Sequence, residues 1–468
     1  MVDTDHAAEP ALSRPLRDSE GDIDSGFVAL VSQAVLAADS ARLRELVEDL
    51  HESDLGDLLE ALDSEERPQL IELLGDAFDF TALTEVDDGV REEILDELSP
   101  ETVAEGVRDL DTDDAVYILE DLDEADKQEI LGKLTPAERS VLQQGLDYPE
   151  DSAGRRMQAE VIAVPPFWTV GQTIDHLRET QDLPDRFFEI FVADPAHRFV
   201  GTVRLDRLLR TRRPVSIADL VEEDRRVVDA TDDIEDVARM FERYNLVAAP
   251  VVDASGRLVG VLTIDDILDV IEEAADDDAK HLAGVDADEE LSDPVRDVAL
   301  SRFRWRFISL VAAFLSASVM AMFEAQLSKL VALAVLAPIV ASQGGNAATQ
   351  TMTVAVRALG TRQLGSWNMA RFFRREMIVG LVNGVAFAII TGTVAGFWFT
   401  SMMLGVVIGM AMIVTLLVAA LAGVIVPLAL DRFGVDPAIA SGTFVTTVTD
   451  VVGFFSFLGI ATILLKLG

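Results

Sequence analysis

The chain has 468 residues, with 82 acidic against 38 basic side chains, a formal net charge of −44 and no cysteine. Such acidity excludes nucleic acid as a partner of the charged part, and the missing thiols exclude disulfides, thiol catalysis and cysteine-ligated zinc. Residues 301–468 hold 11 of the bases and only five of the acids (Glu324, Glu376, Asp431, Asp436, Asp450), which leaves 27 bases and 77 acids in residues 1–300. One part is therefore net −50 and the other +6, so a multi-domain chain is expected: an acidic soluble portion followed by an apolar, membrane-embedded one.

Residues 1–26 are polar and lack an apolar run, which predicts a disordered tail and not a signal peptide. Residues 27–150 are helical and repetitive. Leu50, Leu62, Leu74, Leu98, Leu110, Leu122, Leu134 and Leu146 recur every 12 residues, with Val86 in the remaining slot. Units such as "LSPETVAEGVRDL" and "LTPAERSVLQQGL" open with a Ser or Thr cap followed by Pro, and Thr135 with Glu138 makes a capping box. Helices of two to three turns do not stand alone. Stacked neighbours must bury the leucines, which gives an all-α solenoid.

Residues 155–270 change period. "FVADPAHRFVGTVRLDRLL" and "PVVDASGRLVGVLTIDDIL" each read strand, turn, strand, helix, with Gly201 and Gly260 in equivalent places. The pattern resembles a tandem pair of CBS modules, an α+β unit. That resemblance implies a Thr-x-x-Asp that holds the ribose and phosphate of an adenine nucleotide, met here by Thr263 and Asp266. The first half has Arg204 and Arg207 instead. Thr263 also reads as a plain helix cap. Residues 271–300 form an acidic connecting segment in which Glu272, Glu273, Asp276, Asp277 and Asp278 repel at helical spacing. It reads as a solvated linker, or as a helix that a divalent cation would stabilise.

Five apolar spans are expected within residues 301–468, near 305–327, 331–357, 376–399, 402–430 and 438–466, each long enough to cross a bilayer. Arg302, Arg304, Arg306, Arg357, Arg362, Arg371, Arg374, Arg375 and Arg432 fall on one side, which predicts that side to be cytoplasmic. The protein is then multi-pass in the cell's inner membrane, with a cytoplasmic N-terminus and an external C-terminus.

Two spans carry polar groups that lipid does not satisfy. "APIVASQGGNAATQTMTVAVRAL" contains Gly344, Gly345, Asn346 and Gln350, the last two sharing one helix face. They suit a pore lining and serve equally as interhelical hydrogen-bonding groups. "GVDPAIASGTFVTTVTDVVGFF" contains Asp436 at the start of the last span and Asp450 fourteen residues on, roughly 21 Å along a helix. Asp450 is then deep in the membrane, at a cost of at least ~2.5 kcal/mol, with no base in the apolar interior to pair with it. It must face water, a cation or a proton, with Thr446 and Thr447 one turn away.

Together these segments resemble the MgtE family of magnesium transport proteins over nearly the whole chain. The specific signals are "PIVASQGGNAATQ" and "DPAIASGTFVTTVTDVVG" behind the CBS pair; Ala348 stands where the family pattern has a further glycine. The resemblance implies a homodimer with its pore on the twofold axis, transported and regulatory Mg²⁺, Asp450 as the pore ligand and Asp436 at the entrance. It also implies Asp277 and Asp278 on a plug helix, and a carboxylate role at Glu324. Mg²⁺ influx gated by internal Mg²⁺ is the expected function, with ATP as a modulator. It is not an enzyme. A proton-coupled divalent cation carrier and a membrane-anchored nucleotide sensor are the rival readings.

Overall fold

The computed structural model describes residues 16–467, apart from residues 20, 121, 181, 182, 185, 223–225, 288, 290–292, 366 and 436. The chain divides into two compact units, Met1–Glu272 and Glu273–Gly468.

The first unit opens with short helices: α1 (Ser25–Leu36), α2 (Ser40–Val47), α3 (Glu52–Ala61), α4 (Glu66–Leu74), α5 (Asp88–Glu97), α6 (Pro100–Arg108), α7 (Thr112–Glu120), α8 (Glu124–Lys133) and α9 (Pro136–Leu146). The 12-residue period becomes a continuous core. Leu62, Leu74, Val86, Leu98, Leu122 and Leu134 are buried in it, and Leu50, Leu110 and Leu146 pack against its edge. Thr135 and Glu138 form the expected capping box at the head of α9. The expected tail stops short of residue 26. Residues 1–15 lie outside the described residues, but Arg17 pairs with Asp54 and Asp57 on α3, and Asp24 caps α1.

Two α+β halves follow. The first holds β1 (Ala163–Val164), α10 (Val170–Glu179), β2 (Glu189–Ala193), β3 (Phe199–Arg204) and α11 (Leu205–Arg210). The second holds β4 (Val228–Asp229), α12 (Ile234–Tyr244), β5 (Ala248–Val252), β6 (Leu258–Thr263) and α13 (Ile264–Ala283). Each makes a three-stranded sheet whose first pair is parallel and second antiparallel. The registers match as well: Gly201 lies opposite Val192, and Gly260 opposite Val251. Both glycines admit a close neighbour. A Cβ on Gly201 would meet Val221 at 2.4 Å, and one on Gly260 would meet the Gln158 carbonyl at 2.7 Å. Helix α13 carries on past Thr263 to Ala283, so the expected connecting segment is the second half of one helix and then a break.

The second unit holds α14 (Val295–Ala321), α15 (Glu324–Lys329), α16 (Ala332–Gly360), α17 (Met369–Trp398), α18 (Met402–Arg432) and α19 (Pro437–Leu464). Among the described residues, four helices are long and apolar enough to cross a membrane: Val295–Ala321, Met369–Trp398, Met402–Arg432 and Gly442–Leu464. Helix α16 is not among them, so the expected five spans become four on composition. It has 29 residues, about 44 Å at 1.5 Å per residue, but "SQGGNAATQT" lowers its hydropathy. That sequence is tolerated because α18 and α19 cover its other side, where Leu333, Leu336, Ala337, Val340, Ala348 and Met352 are buried. Helices α17 and α18 touch backbone to backbone: a Cβ on Gly405 would lie 2.4 Å from the Gly392 carbonyl oxygen.

Candidate functional site

Helix α16 has two unlike sides. Gly344, Ala348, Thr351, Met352 and Ala355 are buried, whereas Ser342, Asn346, Thr349, Gln350 and Thr353 are exposed. The exposed set is spaced i, i+4, i+7, i+8 and i+11, a single stripe down the helix. Among the described residues these five side chains stay exposed. Gly344 does not belong to this stripe. It packs behind, where an added Cβ would meet Thr415 at 2.6 Å and Thr449 at 3.5 Å, so its part is close helix approach and not pore lining. Gly345 faces Thr446 at 3.8 Å by the same measure.

Asp450 lies on α19, beside Thr449 and one turn beyond Thr446. The contacts Gly344 with Thr449 and Gly345 with Thr446 set the register of the two antiparallel helices. That register puts Asp450 at the height of the turn from Ser342 to Asn346. Its side chain is half-buried and has no hydrogen bond or ion pair among the described residues. Thr446 and Thr447 spend their protons on their own helix, donating to the Gly442 carbonyl at 2.9 Å and the Thr443 carbonyl at 2.6 Å. Their oxygens keep free lone pairs.

At one end of this helix pair, Glu324 is exposed at the start of α15; its neighbour Phe323 packs edge-on against Phe455, with ring centroids 5.8 Å apart. At the other end lie the acids of α13. Asp278 is 3.7 Å from the Arg357 guanidinium at the foot of α16, and Leu282 packs against the apolar cluster that includes Ala348, Met352 and Val445. Asp277 is half-buried beside Asp278. A cavity of about 480 Å³ opens there, lined by His281, Trp305, Arg306, Thr349, Thr443 and Thr446 among others. Asp436 lies outside the described residues.

Glu376 is not singled out by its sequence context. It stands among arginines at the head of α17 and reads as an interfacial charge, yet it is only 7% exposed and is engaged by Arg375 and Thr351. A second group also escaped notice, in the first unit. Asp113 and Asp114 of α7 face Asp266 of α13, with Asp111 alongside; Asp265 and Glu85 lie near Asp114, and Asp269 lies near Glu85. Burial first, then the neighbouring carboxylates, pushes Asp113 well above the usual carboxylate range and Asp114 up to about 7. Burial likewise lifts Asp266 to about 6, against a lowering hydrogen bond from Thr263. Oδ1 of Asp113 is sealed from solvent without a partner. Like charges are held together by ties around them: the Thr112 hydroxyl donates to Glu160 at 2.6 Å, and Arg155 pairs with Glu120 at 3.2 Å.

The expected nucleotide pair takes part in this face. Thr263 donates its hydroxyl to Asp266 at 2.5 Å, as a residue at the head of α13 would. Thr263 also lines a cleft with Glu160, Phe187, Phe188 and Ala248, but the cleft offers only about 30 Å³ and Asp266 does not line it. Among the described residues, no three carboxylate or imidazole side chains converge as a metal cage.

A bundle of apolar helices with an exposed polar stripe, joined to an acidic helical and α+β unit, has the make-up of a membrane protein. The comparisons agree. The family model for a divalent cation transporter, MgtE, matches residues 337–460, that for the MgtE intracellular N domain matches 50–151, and that for a CBS domain matches 217–273. The chain is 32% identical to the magnesium transporter MgtE of Thermus thermophilus over 93% of its own length and 98% of that protein's. It is 30% identical to that of Bacillus subtilis, over 75% and 78%. A crystal structure of the soluble part of a magnesium transporter is 28% identical and covers 53% of this chain and 98% of its own, with a TM-score of 0.47. The chain belongs to the MgtE family of magnesium transporters.

Proposed function

We propose that this chain conducts Mg²⁺ into the cell, through a pathway formed where the polar face of α16 and Asp450 of α19 meet the same face of a second copy. The observation that carries this reading is the uncovered stripe Ser342, Asn346, Thr349, Gln350 and Thr353 at the height of an unpartnered carboxylate. Hydrocarbon cannot satisfy those groups, so the face belongs against water or a partner. A twofold pairing would supply both, and would set two Asp450 carboxylates across one axis. Mg²⁺ dehydrates reluctantly and keeps several waters, so two carboxylates ringed by amides and hydroxyls would hold it through its hydration shell. On this reading α16 is a fifth span, sheltered from lipid. The arginines at the feet of α14, α16, α17 and α18 support a cytoplasmic placement of that end, with the C-terminus outside.

The name of the relatives supports Mg²⁺ as the cargo. Flux into liposomes under a Mg²⁺ gradient alone tests the reading against its rivals. A proton-coupled carrier would need a pH gradient, and an anchored sensor would pass nothing.

Gating follows from the acids. Asp277 and Asp278 lie at the foot of the pathway, on the helix whose earlier turns bear Asp265, Asp266 and Asp269. Internal Mg²⁺, bound through its waters between acidic faces, would offset their repulsion and hold the plug in place. Loss of the ion would free it. ATP is a second regulator on this reading, and it rests on the Thr263 and Asp266 pair alone, since the cleft beside Thr263 has only about 30 Å³ of room. Asp266→Ala should then abolish ATP binding; absence of binding by the unaltered protein would leave Thr263 a helix cap.

A further inference from the structure

Glu376 is an ionisable side chain in the apolar bundle that the pathway does not use. It is buried, and both of its oxygens are engaged. Arg375 donates Nε and Nη2 to Oε1 at 2.9 and 2.8 Å, while its own side chain reaches outward and stays 58% exposed. Oε2 accepts from the Thr351 hydroxyl at 3.2 Å. Thr351 belongs to α16, on the side away from the polar stripe, and is itself buried.

The destination of that hydroxyl proton is unusual for this bundle. Thr353, Thr446, Thr447 and Thr449 each donate to a carbonyl of their own helix. Thr351 instead reaches a different helix. It also stands where α18 comes nearest: a Cβ on Gly423 would meet Thr351 Cβ and the Ala348 carbonyl oxygen, each at 2.8 Å. Three helices therefore meet at Thr351, and Glu376 with its arginine brings a charged group to the meeting. A hydrogen bond to a buried ionised group is stronger and more directional than one between neutral groups. Its angular effect matters here because Thr351 follows Gln350 directly, so any roll of α16 about Thr351 swings Asn346 and Gln350 by the same angle.

The geometry points to Glu376 as a positioning residue of the ion pathway, which fixes the rotation of α16 through Thr351 and so aims Asn346 and Gln350 at the uncovered face. This rests on the pathway proposed above. Oriented by Arg375, the carboxylate acts from behind the helix and does not touch the ion.

The absence of cysteine allows a direct test in the full chain, reconstituted in liposomes. Single cysteines at Asn346, Gln350 and Ala348 are reacted with a membrane-impermeant thiol reagent, in otherwise unaltered protein and with Thr351→Val, Thr351→Ser or Glu376→Gln. Positions 346 and 350 are expected to react and position 348 to be protected. With Thr351→Val or Glu376→Gln, that contrast should fall roughly tenfold as the loss of one charge-assisted hydrogen bond lets the helix roll. Mg²⁺ flux measured without the added cysteines should fall with it, and Thr351→Ser should restore both. A change of abundance alone would not move the pattern of reactive positions. If Glu376→Gln is not recovered folded, the near-isosteric Thr351→Val decides. An unchanged contrast in Thr351→Val overturns the assignment while leaving the pathway intact. Failure of 346 and 350 to react in the otherwise unaltered protein overturns the pathway itself, and the assignment with it.

Discussion

Asp450 carries most of the functional reading. A carboxylate at that depth costs at least ~2.5 kcal/mol, and nothing in the described residues offsets it. Asp450→Asn should therefore abolish Mg²⁺ flux while the melting temperature of the detergent-solubilised protein stays level or rises, because the expensive charge is removed. Flux within a factor of about two of normal would end the assignment; a collapse in stability would make Asp450 a structural group instead. This residue was legible in the sequence because a lone acid far from any base has few uses in an apolar span. Gly344 is legible as a point of close helix approach, but two adjacent glycines do not say which one packs behind the helix. Glu376 was not legible at all. Its flanking arginines look like an interfacial cluster, and only the fold reveals that its oxygens turn inward to Thr351.

Among elements, α16 and the pair α7 and α13 depart furthest from what pattern alone can say. The short helices of the first unit were readable because their leucine period and their caps are local signals. The two α+β halves were readable because they repeat. Helix α16 is less apolar than a span because of its polar stripe; on the proposed reading its neighbours, and not its own composition, would keep it from lipid. The meeting of α7 with α13 brings together acids some 150 positions apart in the chain, which no local signal encodes. Its physical consequence is a dependence on pH. Asp114 is raised to about 7 and Asp266 to about 6, so the folded unit binds protons that the unfolded chain, with ordinary carboxylates, does not. Stability is then fullest below about pH 4 as far as these groups are concerned, and is lost as pH rises from there through 6 and 7. Thermal unfolding without divalent ions should show the first unit melting lower at pH 7.5 than at pH 5.5. Millimolar-range Mg²⁺ should flatten the difference by favouring the ionised carboxylates. A melting point that rises with pH over this range would mean that the acids are solvated and apart.

For the whole molecule the governing number is the net −50 of residues 1–300. Charge of that size repels itself and is screened only over ~8 Å at physiological ionic strength, so an ion that binds between acidic faces would favour the compact state. Linkage requires that such an ion stabilise the state that binds it better. Mg²⁺ differs from K⁺ here because one doubly charged ion can serve two carboxylates at once, whereas K⁺ acts chiefly by screening. Mg²⁺ should accordingly protect the chain from proteolysis near Asp277 at ionic strengths where K⁺ does not. The same ion, as product of transport, would then report its own abundance to the foot of the pathway. Removing both acids there, by Asp277→Ala with Asp278→Ala, releases Arg357 from Asp278 and takes two charges from the plug. The double variant should conduct at internal Mg²⁺ levels that silence the unaltered protein, with little change at low Mg²⁺, where the pathway is already open. Equal protection by K⁺, or normal silencing of the double variant, would reduce this end of α13 to a solvated linker and leave the pathway without a gate of this kind.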